Sequence, residues 1–195
     1  MTSVSNSSSN TAPDGDTFAQ RAQEIAGKYM AFKLAREEYG LEILHVREII
    51  GLMDITHVPR TKDFVRGVIN LRGKVFPVVD LRMLFAMERI ANTDQTVIII
   101  VQWSIGATST TMGLLVDEVL EVMNVAPDQI EPPPKVCLGD SDGNFILGVG
   151  KADKRVIYLL DIEQVFATNE SQGQLSSSAT DAVTTASKSS REKGE

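Results

Sequence analysis

The chain has 195 residues, of which 43% are hydrophobic, so it can bury the core of one ordinary domain or of two small fused ones. Its 26 acidic residues outnumber its 19 Lys and Arg residues, and the resulting net charge of -7 argues against nucleic acid as a partner. The single cysteine, Cys137, cannot form an internal disulfide.

Both chain ends are poor in large apolar side chains. Residues 1–16 and 168–195 cannot offset their ordering entropy by burial, so we expect disordered tails there, Ser-rich in the second case. The N-terminus lacks the pattern of a signal peptide, which predicts a cytoplasmic protein. The longest aliphatic run, Val97 to Val101, is far shorter than the roughly 18 apolar residues of a membrane helix, so we expect no direct membrane insertion.

The first predicted element is a short helix over residues 17–27. Phe18, Ala22 and Ile25 recur at helical spacing, the side chain at position 16 or 17 can cap the start, and Gly27 can end the helix.

The body of the chain, residues 28–167, then reads as many short strands. Lys28 to Leu34 alternates, with apolar side chains on one face, and turn signals recur at residues 38–40, 72–74 and 140–144. Such a pattern, without repeated long helices, predicts a mainly β fold of small barrels or a sandwich with a few short helices.

The sequences of two predicted strands indicate where each strand lies in its sheet. The run Val97 to Val101 has no polar alternation, which predicts a strand buried on both faces at the centre of the structure. Pro77 interrupts the apolar run Val75 to Val79 and predicts an edge strand, because proline cannot donate to a ladder.

Two segments of the chain recur at constant offsets. The first match aligns Gly67-Val68, Val75, Asp80 and Phe85 with Gly148-Val149, Val156, Asp161 and Phe166. The second aligns Gly40-Leu41, Val46, Glu48 and Ile49 with Gly113-Leu114, Val119, Glu121 and Val122. This predicts two related β-barrel subdomains, roughly 28–91 and 95–167, although interleaved boundaries or a chance match stay open.

The two matching aspartates, Asp80 and Asp161, each stand between a strand and a short amphipathic segment. A capping carboxylate that accepts backbone N–H bonds explains both better than catalysis does.

A serine-hydrolase function has one motif in its favour, since Gly139 to Gly143 matches G-x-S-x-G around Ser141. The context opposes it: three prolines precede the motif, a strand-like run follows it, and both histidines come before the serine. We therefore favour a polar hairpin loop and keep Ser141 as a remote alternative. The His, Cys and carboxylate spacings match no metal or phosphate motif, so we expect no cofactor and no metal.

The most distinctive stretch runs from Arg66 to Gly73 and continues through Val75 to Leu81. Arg72-Gly73 has the character of a hairpin tip, with glycine allowing positive φ and a guanidinium held out on a rigid turn.

This stretch, together with Glu38 to Ile49, Gly113 to Asp117 and Ile157 to Ile162, closely resembles the CheW family of chemotaxis coupling proteins over residues 28–167. The resemblance implies two packed five-stranded SH3-like β-barrel subdomains without catalytic activity. It further implies two partners: the regulatory domain of the histidine kinase CheA and the cytoplasmic tip of a methyl-accepting chemotaxis receptor, in arrays at the inner membrane.

The same resemblance implies roles for individual residues. The receptor-binding positions are Val46, Glu48, Ile49, Val119 and Val122. The receptor or kinase coupling surface contains Gly67, Asn70 and Arg72. Surface motility or gene regulation, through the same module in a non-flagellar chemosensory pathway, is an open alternative.

Overall fold

The computed structural model describes residues 14–105, 108–134, 145–152 and 155–171, and strands dominate these ranges. The strands are β1 (Gly27–Leu34), β2 (Glu37–Glu42), β3 (Val46–Gly51), β4 (Val65–Leu71), β5 (Lys74–Asp80), β6 (Val97–Ile105), β7 (Thr108–Val116), β8 (Glu118–Val125), β9 (Ile130–Glu131), β10 (Ile146–Ala152) and β11 (Arg155–Leu160). The helices are α1 (Asp14–Ile25), α2 (Leu81–Leu84) and α3 (Ile162–Ser171), with single 3₁₀ turns at Ile43–His45 and Pro127–Gln129. The predicted mainly β class with few short helices is confirmed.

The strands form two sheets that pack against each other. One sheet has the order β8-β1-β2-β11-β10-β9 and the other the order β3-β6-β7-β5-β4. Five strands were expected in each unit, and the first sheet has six because the two-residue β9 adds to its edge.

The two sheets exchange hairpins. The β1–β2 hairpin precedes β3 in the chain, yet β1 pairs with β8 and β2 pairs with β11. Likewise, the β6–β7 hairpin pairs with β3 and β5. A boundary near residues 91–95 therefore separates the sequence repeats but not the sheets, since each sheet takes strands from both halves.

The internal repeat is visible in the pairing registers. In the parallel β5–β7 ladder Val78 faces Gly113, and in the parallel β11–β2 ladder Leu159 faces Gly40. These are corresponding positions of the two repeats. The two sheets therefore share the same strand pairing, and the recurring sequence segments are structurally equivalent.

The predicted capping role of Asp80 and Asp161 is confirmed. Asp80 Oδ1 accepts hydrogen bonds from the backbone amides of residues 82 and 83, at 3.0 and 3.4 Å. Asp161 Oδ1 accepts from the amides of residues 163 and 164, at 2.9 and 3.0 Å. Each carboxylate thus satisfies amide donors that the start of α2 or α3 leaves without an intrahelical partner.

The largest apolar cluster combines side chains of both sheets, and a smaller cluster lies on the other face of each sheet. Strand β6 contributes to two of them: Ile99 and Val101 belong to the central cluster, while Ile98 and Ile100 belong to the cluster of their own sheet. All four are at most 2% exposed. The continuous aliphatic run is therefore buried on both faces, as predicted.

The prediction that Pro77 marks an edge strand is wrong, because β5 lies between β7 and β4. The missing N–H donor of Pro77 is nevertheless accommodated by the extent of the ladder. The β5–β7 ladder runs only from Val78 to Asp80, so Pro77 pairs with Val68 of β4 and precedes the first residue that pairs with β7. A missing N–H donor is tolerated at such a ladder end.

Three predicted boundaries also need correction. The turn expected at residues 38–40 lies earlier, where Ala35 has φ 57°, and Gly40 is a buried residue of β2. Helix α1 includes residues 14–16, and Gly27 begins β1 instead of ending the helix. Residues 168–171, assigned to the C-terminal tail, belong to α3. The remainder of both tails lies outside the described residues.

The helices of the described ranges are short. None of the helices there is long and apolar enough to cross a bilayer.

Candidate interaction surfaces

The predicted hairpin tip at Arg72-Gly73 is confirmed. These two residues connect β4 to β5 and have φ values of 53° and 80°, the pattern of a two-residue turn with both central residues in positive φ. Asn70 Oδ1 accepts a hydrogen bond from the Gly73 amide at 3.0 Å, which closes the turn from inside. The turn therefore holds Arg72 out from the sheet at a fixed position.

Arg72 forms an ion pair with Glu48 of β3. Its two terminal nitrogens donate to the two carboxylate oxygens at 3.4 and 3.1 Å, a fork geometry that only an arginine can make. Because β3 is one edge of its sheet and β4 is the other, this pair spans a sheet that curls until its two edges approach. The Arg72 side chain remains 78% exposed and available to a partner.

Gly67 is buried, and its backbone geometry explains why no larger residue fits. Its φ is 139°, and a Cβ atom there would lie 2.1 Å from the backbone oxygen of Thr56. Val68, the residue after Gly67, exchanges two backbone hydrogen bonds with Thr56, at 2.8 and 2.9 Å. Gly67 can therefore support the surface near Arg72 only by shaping the start of β4.

The apolar positions implied for receptor binding divide into two groups. Val46 and Val119 are half-buried and pack against the central cluster, one from each edge strand β3 and β8. Three residues further along, Ile49 and Val122 are 43% and 54% exposed. Each edge strand thus runs from the shared core outwards to an exposed aliphatic side chain.

The second repeat has its own version of the edge ion pair. Glu121 of β8, which corresponds to Glu48, accepts a hydrogen bond from Arg155 at the start of β11. Arg155 also lies 3.5 Å from Glu38. Among the described residues, Arg72 is 78% exposed on its hairpin turn, whereas the Arg155 side chain is 33% exposed at the start of a strand, so the two ion pairs present different surfaces.

The sequence did not predict the buried ionic network between Arg82 and Asp117. Arg82 of α2 donates to both carboxylate oxygens of Asp117, with an Nε–Oδ1 distance of 2.6 Å, and Asp117 also accepts from the Ala35 amide at 2.7 Å. Hydrogen bonding to Asp117 raises the pKa of Arg82, while burial raises the pKa of Asp80. The network connects α2, the β7–β8 junction and the β1–β2 turn. The lone cation in the apolar segment Leu81 to Phe85 was its one sequence signal.

The structure does not test the Ser141 motif, and it shows no metal site among the residues that it describes. Ser141 and Cys137 lie outside the described residues. His45 Nδ1 lies 3.3 Å from the backbone oxygen of Gln102, which accounts for that ring structurally. Within the described ranges, no group of three or more His, Cys, Asp or Glu side chains could hold a metal ion.

Comparison with known proteins gives a consistent result. Residues 28–170 match the family model of the CheW-like domain. The chain is 34% identical to the chemotaxis protein CheW of Klebsiella aerogenes over 155 residues, 79% of this chain and 90% of that protein. It is 36% identical to the chemotaxis protein CheW of Rhizobium meliloti over 141 residues, 72% of this chain and 88% of that protein. The crystal structure of the scaffolding protein TtCheW from Thermoanaerobacter tengcongensis matches with a TM-score of 0.62 at 37% identity, covering 73% of this chain and 93% of that one.

Proposed function

Since this chain belongs to the CheW-like family, we propose that it is a non-enzymatic scaffold that couples methyl-accepting chemotaxis receptors to the histidine kinase CheA. The observation that carries the proposal is the Arg72–Glu48 pair, an exposed bidentate pair held by a rigid turn beside aliphatic edge strands. Charges at fixed places on a rigid rim set partner choice and encounter rate more than they set fold stability.

The receptor tip binds along the two edge strands that border the central core. Its positions are Val46, Glu48 and Ile49 on β3, and Val119 and Val122 on β8. The supporting features are the half-buried valines at the core and the exposed aliphatic side chains further out. An apolar strip with a charged rim fits a modest, transient signalling contact.

The β4–β5 hairpin couples this receptor surface to the regulatory domain of CheA. Asn70 fixes the turn, Gly67 fixes the strand that leads to it, and Arg72 extends from its tip. Because Arg72 also pairs with Glu48, part of a change at the receptor surface reaches the hairpin through this ion pair. The scaffold contributes coupling free energy between the two partners, typically about 1 to 3 kcal/mol, and performs no chemistry.

We place the protein in the cytoplasm, recruited by its partners to receptor arrays at the inner membrane. The same coupling role in a non-flagellar chemosensory pathway uses the same surfaces, so the two versions differ only in the identity of the receptor and the kinase.

Titration calorimetry with the two partner fragments tests the proposal. The full chain is titrated with the regulatory domain of the CheA encoded in the same genome, and separately with a receptor signalling tip. Micromolar binding to both is expected, with Arg72→Ala and Glu48→Ala weakening at least one of them. Arg89→Ala removes another exposed cation and serves as the matched control. Binding to neither partner would refute the scaffold function.

A further inference from the structure

A cleft of about 460 Å³ opens beside α2, near the β1–β2 turn. Its walls include the rings of Tyr39, Phe85, Phe145 and Tyr158, and Glu37 lies at its exposed side. None of these residues belongs to the β4–β5 hairpin or to the edge strands β3 and β8, so the cleft is separate from both proposed binding surfaces.

The four rings form one continuous aromatic wall. Phe85 and Phe145 are stacked, with ring centroids 4.7 Å apart and planes 2° from parallel. The Tyr39 ring lies 5.6 Å from both Phe85 and Tyr158 and is tilted against each. Tyr39 is buried, while the other three rings are half-buried and partly face the open cleft.

The second repeat explains why the cleft is open. Phe166 of α3 corresponds to Phe85, but it is 1% exposed and stacks on Trp103 at 4.8 Å. Helix α3 has ten residues, whereas α2 ends after four, where Ala86 takes a left-handed φ of 56°. Phe166 is thus covered, whereas nothing within the described ranges covers the rings beside the short α2.

The charge around the cleft is unbalanced. The nearby Arg82 guanidinium is already matched by the Asp117 carboxylate. Glu37 is the acidic residue among the lining side chains, and no ion pair found within the described part of the chain involves it. The Glu37 carboxylate also acts electrostatically on Arg82, and it places one negative charge at the mouth of the aromatic cleft.

We propose that this cleft binds one cationic side chain, an arginine or a lysine, of a partner protein. The aliphatic stem of such a side chain packs along the Phe85–Phe145 stack, and its charged head meets the faces of the outer rings and the Glu37 carboxylate. An uncharged apolar side chain fills the same walls but leaves the carboxylate unmatched. The cleft therefore selects for positive charge, independently of whether Arg72 contacts CheA or a receptor.

The test uses two small probes of nearly equal shape. The isotopically labelled full chain is titrated with N-acetyl-arginine amide and with N-acetyl-citrulline amide, which replaces the guanidinium by an uncharged urea, and amide shifts are followed by NMR. The arginine probe is expected to shift amides around residues 35–39, 85–87, 145–146 and 158, and to bind about 3- to 5-fold more tightly than the citrulline probe.

Variants identify the groups responsible. Glu37→Gln is expected to reduce the affinity of the arginine probe to that of the citrulline probe, and Phe85→Leu to weaken the arginine probe by removing a π face. Glu163→Gln, an exposed glutamate on α3, should change neither affinity. Equal binding of the two probes, shifts scattered over the surface, absence of binding, or an unaffected Glu37→Gln variant would each overturn the proposal. The spectra of the variants report whether they are folded.

Discussion

Arg72 and Glu48 lie 24 residues apart in the chain, and the guanidinium of one forms two hydrogen bonds with the carboxylate of the other. The pair connects the tip of the β4–β5 hairpin to the edge strand β3, across the opening of a curled sheet. It therefore physically connects two positions that the proposed function uses for partner binding.

The Arg72–Glu48 pair should matter more for binding than for stability. Because the Arg72 side chain is 78% exposed, we expect Arg72→Ala and Glu48→Ala each to lower the free energy of unfolding by less than about 1 kcal/mol. A double-mutant cycle in urea should give a coupling of roughly 0.5 kcal/mol. A loss above about 2 kcal/mol for either variant would identify the pair as a structural element instead.

The two glycines of the hairpin should respond very differently to alanine. Gly67→Ala places a Cβ atom 2.1 Å from the Thr56 oxygen and should cost at least about 3 kcal/mol of unfolding free energy. Gly73→Ala meets no atom within 4 Å and has only its φ of 80° against it, so about 1 kcal/mol is expected. Urea unfolding followed through Trp103 fluorescence measures both, and similar losses would show that the contact with Thr56 is relieved by a small shift.

The buried network should be costly to break from one side. Arg82→Met leaves the Asp117 carboxylate without its partner and should reduce the unfolding free energy by about 2 to 4 kcal/mol. Adding Asp117→Asn removes the unmatched charge while keeping an oxygen for the Ala35 amide. The double variant should therefore recover about 1 to 2 kcal/mol in thermal or urea unfolding. A double variant less stable than Arg82→Met alone would contradict this reading.

Asp80 should make stability decrease as pH rises. Burial raises the pKa of Asp80 in the folded state above its usual 3.8, so the folded protein holds this proton more tightly than the unfolded chain does. The stabilisation that comes from protonated Asp80 is fully present below pH 3.8. It is lost as the pH rises through the pKa that Asp80 has in the folded protein. Asp80→Asn can keep the cap through its Oδ1 but cannot ionise. We expect the unfolding free energy of the wild type to fall relative to this variant between pH 3 and pH 7, measured by urea unfolding at several pH values. A constant difference would mean that folding leaves the pKa of Asp80 unchanged, and a gain for the wild type as pH rises would mean that the folded state stabilises the carboxylate; either result would contradict the prediction.

The sequence predicts best where one local signal decides the structure. The Arg72-Gly73 turn and the Asp80 and Asp161 caps follow from local backbone chemistry, and the strand at Val97–Val101 follows from its unbroken aliphatic run. Pro77 was misassigned because a proline indicates a missing ladder bond but not how far the neighbouring strand extends.

The sequence predicts contacts between distant segments of the chain less well. The exchange of the β1–β2 and β6–β7 hairpins depends on which strands pair across the chain, and the repeat pattern is the same with or without it. Nor does periodicity reveal that Glu48 reaches Arg72, that Arg82 pairs with Asp117, or that the short α2 leaves Phe85 half-buried. These contacts are set by three-dimensional packing between elements far apart in sequence.

The most direct test of the central claim is the receptor-dependent activity of the kinase. CheA and a receptor from the same genome are reconstituted in membranes, and CheA autophosphorylation is measured with this chain, with its Arg72→Ala variant and without either. Receptor control of CheA is expected to require the chain and to be strongly reduced by Arg72→Ala, while Arg89→Ala should behave like the wild type. Receptor control that is equal with and without the chain would contradict the coupling function.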